Sequence, residues 1–136
     1  MQRLSKSEYY LNIAAEVAKR STCLRRQYGA VIVKNDEIIA TGYNGSPRGS
    51  VNCVDVGECW RHRNNIPHGE RYEACEAVHA EQNAIISASR KDMIGSVLYL
   101  AGWENGVRIE AVPCVICSRL IRNAGIERVI STLEGE

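Results

Sequence analysis

The sequence predicts an α/β protein of three layers, with helices on both faces of a central mixed sheet. Three observations support this: a β-rich hairpin early in the chain, two further strand-like apolar runs, and helical periodicity in the segments between them. Helices that alternate with strands pack their apolar sides on a shared sheet. A length of 136 residues suits one domain with its own core, so we expect a single domain over residues 1–136.

The first half of the chain predicts one helix and one hairpin. Ser5 and Glu8 have the spacing of a capping box, and the apolar residues behind them predict a helix over roughly residues 6–21. The β-rich runs 29–33 and 37–41 are separated by Lys34-Asn35-Asp36, which predicts a hairpin. Residues 42 to about 71 are rich in Gly, Asn, Pro and Ser, and so long an irregular stretch is usually functional.

The second half predicts two helices, each followed by a strand. Apolar periodicity over residues 78–90 predicts the second helix, and residues 96–101 have the composition of a buried strand. Residues 102–110 are interpreted as a long loop. A third helix is expected over residues 113–124, because Pro113 stands at its start and Gly125 just beyond its end. Residues 126–131 form the last predicted strand.

Composition excludes several classes of protein. Hydrophobic residues make up 45% of the chain and charged residues 24%, as in ordinary globular proteins. A formal net charge of +1 gives no basic surface for nucleic acid or for an anionic membrane. Because no apolar run has the length of a membrane span and the N-terminus lacks the apolar stretch of a signal peptide, a cytoplasmic location is expected.

Two short motifs carry the strongest functional signal. The first is His79-x-Glu81 and the second is Pro113-Cys114-x-x-Cys117. Together they offer three zinc ligands (His79, Cys114 and Cys117) and one carboxylate, and a catalytic zinc site keeps three protein ligands and an open fourth position. This combination matches the established signature of zinc deaminases that act on nucleobases.

The chemistry of such a site follows from these residue types. Cys114 and Cys117 are three residues apart at a helix start, where the positive helix end favours thiolates. Zinc lowers the pKa of a water in the open position, and the hydroxide can attack an amidine-like carbon such as C4 of cytosine. Glu81 would carry the proton to the ring nitrogen and to the leaving ammonia. The alternative is a structural zinc knuckle with a fourth ligand, in which Glu81 is a solvated charge.

With these residues in place, the chain resembles the deoxycytidylate (dCMP) deaminase family of the cytidine deaminase-like superfamily. The likeness runs from about Cys23 to the end of the last strand, with specific stretches at residues 23–33, 41–49, 79–85 and 113–117. The Gly-Tyr-Asn-Gly-Ser-Pro-Arg-Gly segment at 42–49 is typical of this family in particular. The resemblance implies a cytidine deaminase-like fold and one zinc-dependent deaminase domain. It also implies hydrolytic deamination of dCMP to dUMP and ammonia, which supplies dUMP for thymidylate synthesis.

The resemblance also implies which residues contact the substrate. Asn44 and Ala80 correspond to positions that contact the sugar and base, and Arg90 to a position that helps to hold the 5′-phosphate. The alternative for Arg90 is a cation in the last turn of the second helix, where it would only favour the helix dipole.

Regulation is a further implication of the resemblance. Regulated members bind a deoxynucleoside triphosphate with Mg²⁺ between subunits of a homohexamer, with dCTP as activator and dTTP as inhibitor. The corresponding residues are Gly45, Ser46 and Arg48, with Arg48 and exposed glycine amides expected to face the effector phosphates. The alternative is a glycine-rich turn that leaves the hairpin and serves the substrate alone.

Four cysteines remain outside the catalytic motif. Some family members carry a second, structural zinc, and by resemblance Cys23 and Cys53 supply ligands, with Cys59 and Cys75 the nearest thiols that complete a closed site. His62 and His68 are substitutes for one thiol. The alternative is four ordinary cysteines buried as small hydrophobic residues.

Three other functions fit parts of the pattern. A deaminase acting on adenosine in tRNA would carry a basic face, which a net charge of +1 does not favour. A nucleoside deaminase would not need Arg90 or the loop around Asn44. An inactive zinc module that serves as a partner surface would not need an intact Glu81.

Overall fold

The computed structural model describes residues 1–59, 64–65 and 77–132. The helices are α1 (Lys6–Ala18), α2 (Cys53–Val56), α3 (Ala80–Ile86), α4 (Arg90–Met93) and α5 (Val115–Ala124). The strands are β1 (Gln27–Lys34), β2 (Glu37–Tyr43), β3 (Val97–Glu104), β4 (Val107–Ile109) and β5 (Arg128–Ile130). Of the described helices, not one is long and apolar enough to cross a membrane.

The five strands form one mixed sheet. β1 lies between β2 and β3 and runs antiparallel to both. β4 pairs antiparallel with the end of β3, and β5 pairs parallel with its beginning. Helix α1 packs on β1 and β3, α3 packs on β2 and β1, and α5 packs on α3. The predicted three-layer α/β/α fold with a central mixed sheet is confirmed.

The central strand β1 supplies both halves of the core. Ala30 and Ile32 belong to one apolar cluster, which includes Ala80 and Ala84 of α3, whereas Val31 and Val33 belong to a second cluster with side chains of α1. Successive side chains of a strand point to opposite faces. A continuous apolar run is therefore needed here, because helices cover both faces of the sheet.

Two hairpins with the same kind of turn shape the sheet. Asn35 and Asp36 have φ of 52° and 61°, and Asn105 and Gly106 have φ of 53° and 75°. Positive φ at both central residues matches the right-handed twist of the flanking strands. The first hairpin agrees with the prediction, but the interpretation of residues 102–110 as a loop is wrong, because β3 continues to Glu104 and turns directly into β4.

The helix boundaries differ in part from the prediction. Helix α1 starts as expected, with the Glu8 N–H donating to Ser5 Oγ at 3.1 Å, but it ends at Ala18. The helix expected over 78–90 is two elements, because Ser89 caps a new short helix by accepting the Asp92 N–H at 3.2 Å. Serine competes for backbone hydrogen bonds and so favours helix starts over helix interiors.

Candidate active site

Three side chains from two helix starts converge. His79 Nδ1 lies 3.2 Å from Cys117 Sγ and 3.6 Å from Cys114 Sγ, and the three ligand atoms all lie within 4.8 Å of one another. A tetrahedral zinc with its usual bond lengths separates a nitrogen and a sulfur ligand by about 3.5 Å. In the described part of the chain this is the one group of at least three such ligands, and its spacing and donor types fit zinc.

The local sequence explains why these ligands meet. His79 precedes α3 as its N-cap, and its backbone N–H donates to Gln82 Oε1 at 2.9 Å. Cys114 is the N-cap of α5, and its sulfur accepts the Cys117 N–H at 3.4 Å. Pro113 therefore lies before the helix and not at its first position, which corrects the predicted start. The sulfur and imidazole ligands sit at the positive ends of two helices, where thiolates are favoured.

Glu81 lies in the first turn of α3, beside these ligands. Its side chain is buried, with the residue 6% exposed. Burial raises the pKa of Glu81, and burial together with the nearby Glu81 charge raises the pKa of Cys117. A cation among the three ligands would offset both effects, so metal binding here is linked to proton release.

A cavity of about 580 Å³ opens in front of this group, within the size range of small-molecule sites. Glu81, His79 and Cys114 line it. Apolar side chains also line it, namely Leu100, Val112, Pro113, Val115 and Ile116. Two arginines, Arg25 and Arg26, also line the cavity, directly before β1. The cavity thus combines a metal-ligand group, a buried carboxyl, an apolar surface and positive charge.

Asn44 lines the cavity, and its side-chain amide is held by the chain itself. Its Oδ1 accepts the Tyr28 N–H at 2.8 Å, and its Nδ2 donates to the Arg26 carbonyl at 2.9 Å. Asn44 therefore fixes the backbone at the start of β1. Ala80, the first residue of α3, is fully buried in the core. It is not among the described residues that line the cavity.

Arg90 lies on a short helix after α3, and its contact with the phosphate stays a prediction. It is exposed at the first residue of α4 and, in the part of the chain that the structure describes, is not a lining residue of the cavity. The alternative of a cation in the last turn of the second helix is wrong, because α3 ends at Ile86. Sequence reasoning did not single out Arg25 and Arg26, although the adjacent arginines directly before a central strand were a usable signal.

The residues predicted for the effector are only partly accessible. The Gly45 N–H donates to the Val78 carbonyl at 3.1 Å, and the Ser46 N–H donates to Thr22 Oγ1 at 3.1 Å. Gly45 is buried, so the expectation of an exposed amide at this glycine is wrong. Arg48 is exposed.

The remaining cysteines are only partly described. Cys23, Cys53 and Cys59 line the same cavity, but among the described residues they do not form a group whose ligand atoms all lie within 4.8 Å. Cys75, His62 and His68 lie outside the described residues. The closed four-cysteine site therefore stays a prediction.

Gly42 has a role in the site that the sequence did not reveal. A Cβ at this glycine would lie 2.4 Å from the Ala84 nitrogen and 2.5 Å from the Ala80 oxygen, so the backbone of α3 rests directly on β2. Gly42→Ala is expected to lower the free energy of unfolding by about 3 kcal/mol and to displace α3 with Glu81. Denaturant unfolding and enzyme assays measure both effects.

Gly49→Ala is the matched control, because Gly49 has a φ of +87° and open space around it. Its cost comes from backbone strain alone, about 1 kcal/mol. Equal unfolding midpoints for the two variants would contradict the close-packing explanation.

Comparisons with known proteins agree with this geometry. The family model for the cytidine and deoxycytidylate deaminase zinc-binding region matches residues 4–133. The deoxycytidylate deaminase of Mycobacterium phage D29 is 40% identical over 135 residues, covering 96% of each chain. The deoxycytidylate deaminase of Schizosaccharomyces pombe is 37% identical over 94% of this chain. The matched part makes up 37% of the length of the yeast protein.

Solved structures of a dCMP deaminase have a fold similar to that of this chain. The dCMP deaminase of cyanophage S-TIM5 in its apo form has a TM-score of 0.67 and 30% identity, covering 94% of this chain and 82% of that one. Its complex with dCMP and dUMP has a TM-score of 0.64 and 28% identity, covering 95% and 82%. The chain therefore belongs to the deoxycytidylate deaminase family, a family of hydrolases with the cytidine deaminase-like fold.

Proposed function

We propose that this chain catalyses the zinc-dependent hydrolytic deamination of dCMP to dUMP and ammonia. The observation that carries the proposal is the convergence of His79, Cys114 and Cys117 beside the buried Glu81, at a cavity that also holds two arginines. A cyanophage relative with the same fold is solved with dCMP and dUMP. The cavity offers an apolar surface on which the face of a base can pack and positive charge that can meet an anionic phosphate.

His79, Cys114 and Cys117 would hold the zinc. When bound, zinc supplies the Lewis acidity that brings the ionisation of a water toward neutral pH. Glu81 takes a proton from the attacking water, delivers one to the ring nitrogen N3, and passes another to the departing amino group. A C4–O bond forms and the C4–N bond breaks, so dCMP and water become dUMP and ammonia.

Burial is what suits Glu81 to this task. A carboxyl in a desolvated site holds a proton more tightly than one in water, so it can both accept and return a proton during one turnover. The position of Glu81 depends on α3, which packs directly on the sheet at Gly42.

The decisive experiment measures ammonia release from dCMP, CMP, deoxycytidine and dCTP, with and without a zinc chelator. The proposal expects dCMP to be the best substrate and the chelator to abolish release. A preference for deoxycytidine would indicate a nucleoside deaminase. Release from dCMP that resists complete zinc removal would contradict the mechanism.

The phosphate contact can be assigned by comparing three arginines. By resemblance Arg90→Ala should lower the efficiency on dCMP roughly 10- to 150-fold, the value of a charge-assisted contact, and leave deoxycytidine almost unchanged. The cavity favours Arg25 and Arg26 in this role, because both line it and Arg90, among the described residues, does not. We therefore expect a selective loss on dCMP from Arg25→Ala and from Arg26→Ala, and little change from Arg90→Ala. A selective loss from Arg90→Ala alone would assign the contact to Arg90.

Regulation by dCTP with Mg²⁺ and by dTTP, in a homohexamer, is proposed from the resemblance. Arg48 is exposed and can meet an effector phosphate, whereas the Gly45 and Ser46 amides already donate within the chain. Exposed apolar side chains on α5, at Val115 and Ile116, are consistent with a subunit interface.

An effector acts only if it prefers one of two subunit arrangements. We expect sigmoidal dCMP kinetics that become hyperbolic with Mg-dCTP, and a weaker response in Arg48→Ala. Hyperbolic kinetics that are indifferent to both nucleotides would mean that residues 42–49 serve the substrate alone.

A second zinc on Cys23, Cys53, Cys59 and Cys75 is also proposed. Cys23, Cys53 and Cys59 line one cavity, so their thiols lie in the same region of the fold. A metal orders a segment that has few apolar residues to anchor it.

A further inference from the structure

Glu104, the last residue of β3, forms an ion pair with an arginine that lines the cavity. In the antiparallel pairing of β1 with β3, Gln27 is opposite Trp103, so the next residues, Arg26 and Glu104, lie side by side at the end of the ladder. Arg26 Nε donates to Glu104 Oε2 in an ion pair, and Arg26 Nη1 lies 3.5 Å from the Tyr28 hydroxyl. Arg26 and Tyr28 both line the cavity.

The β3–β4 hairpin is a rigid support for this carboxylate. Trp103 Nε1 donates to the Ala15 carbonyl of α1 at 2.8 Å. The Lys19 ammonium and the Arg108 guanidinium lie 5.3 and 5.5 Å from the centre of the Trp103 ring, within the range of cation–π contacts. Glu104 is the next residue, so its backbone is held to both the sheet and α1.

The backbone of Arg26 is fixed independently. Asn44 Nδ2 donates to the Arg26 carbonyl at 2.9 Å, and the Tyr28 N–H donates to Asn44 Oδ1 at 2.8 Å. A long side chain on a fixed backbone still has several rotatable bonds, and their ordering costs entropy at each binding event. Glu104 removes that freedom by holding the guanidinium at Nε.

The ion pair occupies Nε and the Tyr28 hydroxyl lies beside Nη1, which leaves further donors of the same guanidinium for a ligand. Arginine carries five N–H donors in a planar fork, and phosphate oxygens accept two parallel donors from one edge of that fork. The Arg26 side chain is 29% exposed and the Glu104 side chain 36% exposed, so the pair lies at the cavity mouth and not in the core. A phosphate monoester at the mouth can therefore meet the remaining donors.

We propose that Glu104 is a positioning residue that orients Arg26 toward the 5′-phosphate of the substrate. The inference rests on the proposed function, because it names part of the phosphate-binding end of the same cavity. It assigns a role to the segment 102–110, for which the sequence alone predicts only a loop. Glu104 acts through Arg26 and does not itself contact the reacting atoms.

The first test compares Glu104→Gln with Glu110→Gln, which removes the same charge from an exposed residue just beyond β4. Steady-state kinetics are measured on dCMP and on deoxycytidine, which lacks the phosphate. We expect Glu104→Gln to lower kcat/KM for dCMP about 10-fold, mainly by raising KM. A 10-fold change corresponds to the loss of part of one charge-assisted contact. Efficiency on deoxycytidine should stay within about 2-fold, and Glu110→Gln should change neither substrate.

The second test is a double-mutant cycle. In the Arg26→Ala background, where the Arg26 contact to the phosphate is absent, Glu104→Gln should have no further effect on dCMP. Inorganic phosphate should inhibit deoxycytidine deamination by the wild type, and this inhibition should weaken in both single variants, more strongly in Arg26→Ala. These readouts report on the anion and would not respond to a purely structural role.

Several results would overturn the inference. Equal losses on dCMP and deoxycytidine would give Glu104 a structural role, and a gain on dCMP would mean that Glu104 competes with the phosphate. An effect of Glu104→Gln that persists without Arg26 would also contradict it. If Glu104→Gln does not fold, Arg26→Lys provides the test, and an unchanged preference for dCMP over deoxycytidine would refute the role of the guanidinium. Failure of the wild type on dCMP would refute the proposed function itself.

Discussion

Glu81→Gln is expected to lower kcat for dCMP by about 10²–10⁴-fold or more, the range that general acid–base groups contribute. Glutamine has the shape of glutamate and fits the same buried site, but it cannot accept and return a proton. Zinc content should stay the same, because Glu81 is not among the three grouped ligands. Steady-state kinetics and elemental analysis of the same preparation measure both quantities.

The stability of this variant separates chemistry from folding. Glu81 is 6% exposed, and its burial opposes ionisation of the carboxyl, so a neutral amide should leave the unfolding temperature unchanged or raise it. Glu127→Gln, at an exposed residue before β5, is the matched control and should keep full activity. Near-normal turnover of Glu81→Gln would show that another group moves the proton.

Much of the sheet was predictable because its signals are local. The continuous apolar run of residues 30–33 and the left-handed turn at Asn35 and Asp36 depend on neighbours in sequence. The second hairpin carries an equally good turn signal in Asn105 and Gly106. It escapes sequence-based prediction because β4 has only three residues, too few for an alternation to be recognised.

The zinc ligands were predictable for a similar reason. His79 and the two cysteines each belong to a short motif at a helix start, so their spacing in sequence fixes most of their geometry. The position of Glu81 was predictable as well, since it lies in the first turn of the helix that His79 caps. No local pattern gives the distance in space between the two motifs. Their residues can still be assigned to one site, because together they supply the ligands of a catalytic zinc.

The phosphate end of the cavity was not predictable in this way. Whether Arg25 or Arg90 faces the cavity depends on where the start of β1 meets the other elements, which is a tertiary property. The same holds for Gly42, whose lack of a Cβ matters only because α3 crosses β2 there. The position of Glu104 opposite Arg26 likewise depends on the register of β1 with β3.

Cys117→Ser is expected to remove the catalytic zinc and to lower turnover by more than about 10³-fold, because Lewis acidity contributes several kcal/mol to such reactions. Serine is a poor zinc ligand, and only His79 and Cys114 would remain of the group. The residue is fully buried at the first turn of α5, so a hydroxyl of similar size should keep the fold. Zinc analysis, circular dichroism and turnover are measured together.

Cys53→Ser is the informative comparison. If Cys53 is a ligand of the proposed second zinc, Cys53→Ser should also lower the zinc content by one ion per chain. The protein should then lose stability but keep the three catalytic ligands intact. Fully metallated wild type should then hold close to two zinc ions. One ion in the wild type, lost in Cys117→Ser and retained in Cys53→Ser, would rule out the second site and leave the catalytic one in place. Zinc retained in full by Cys117→Ser would contradict the assignment of the catalytic ligands.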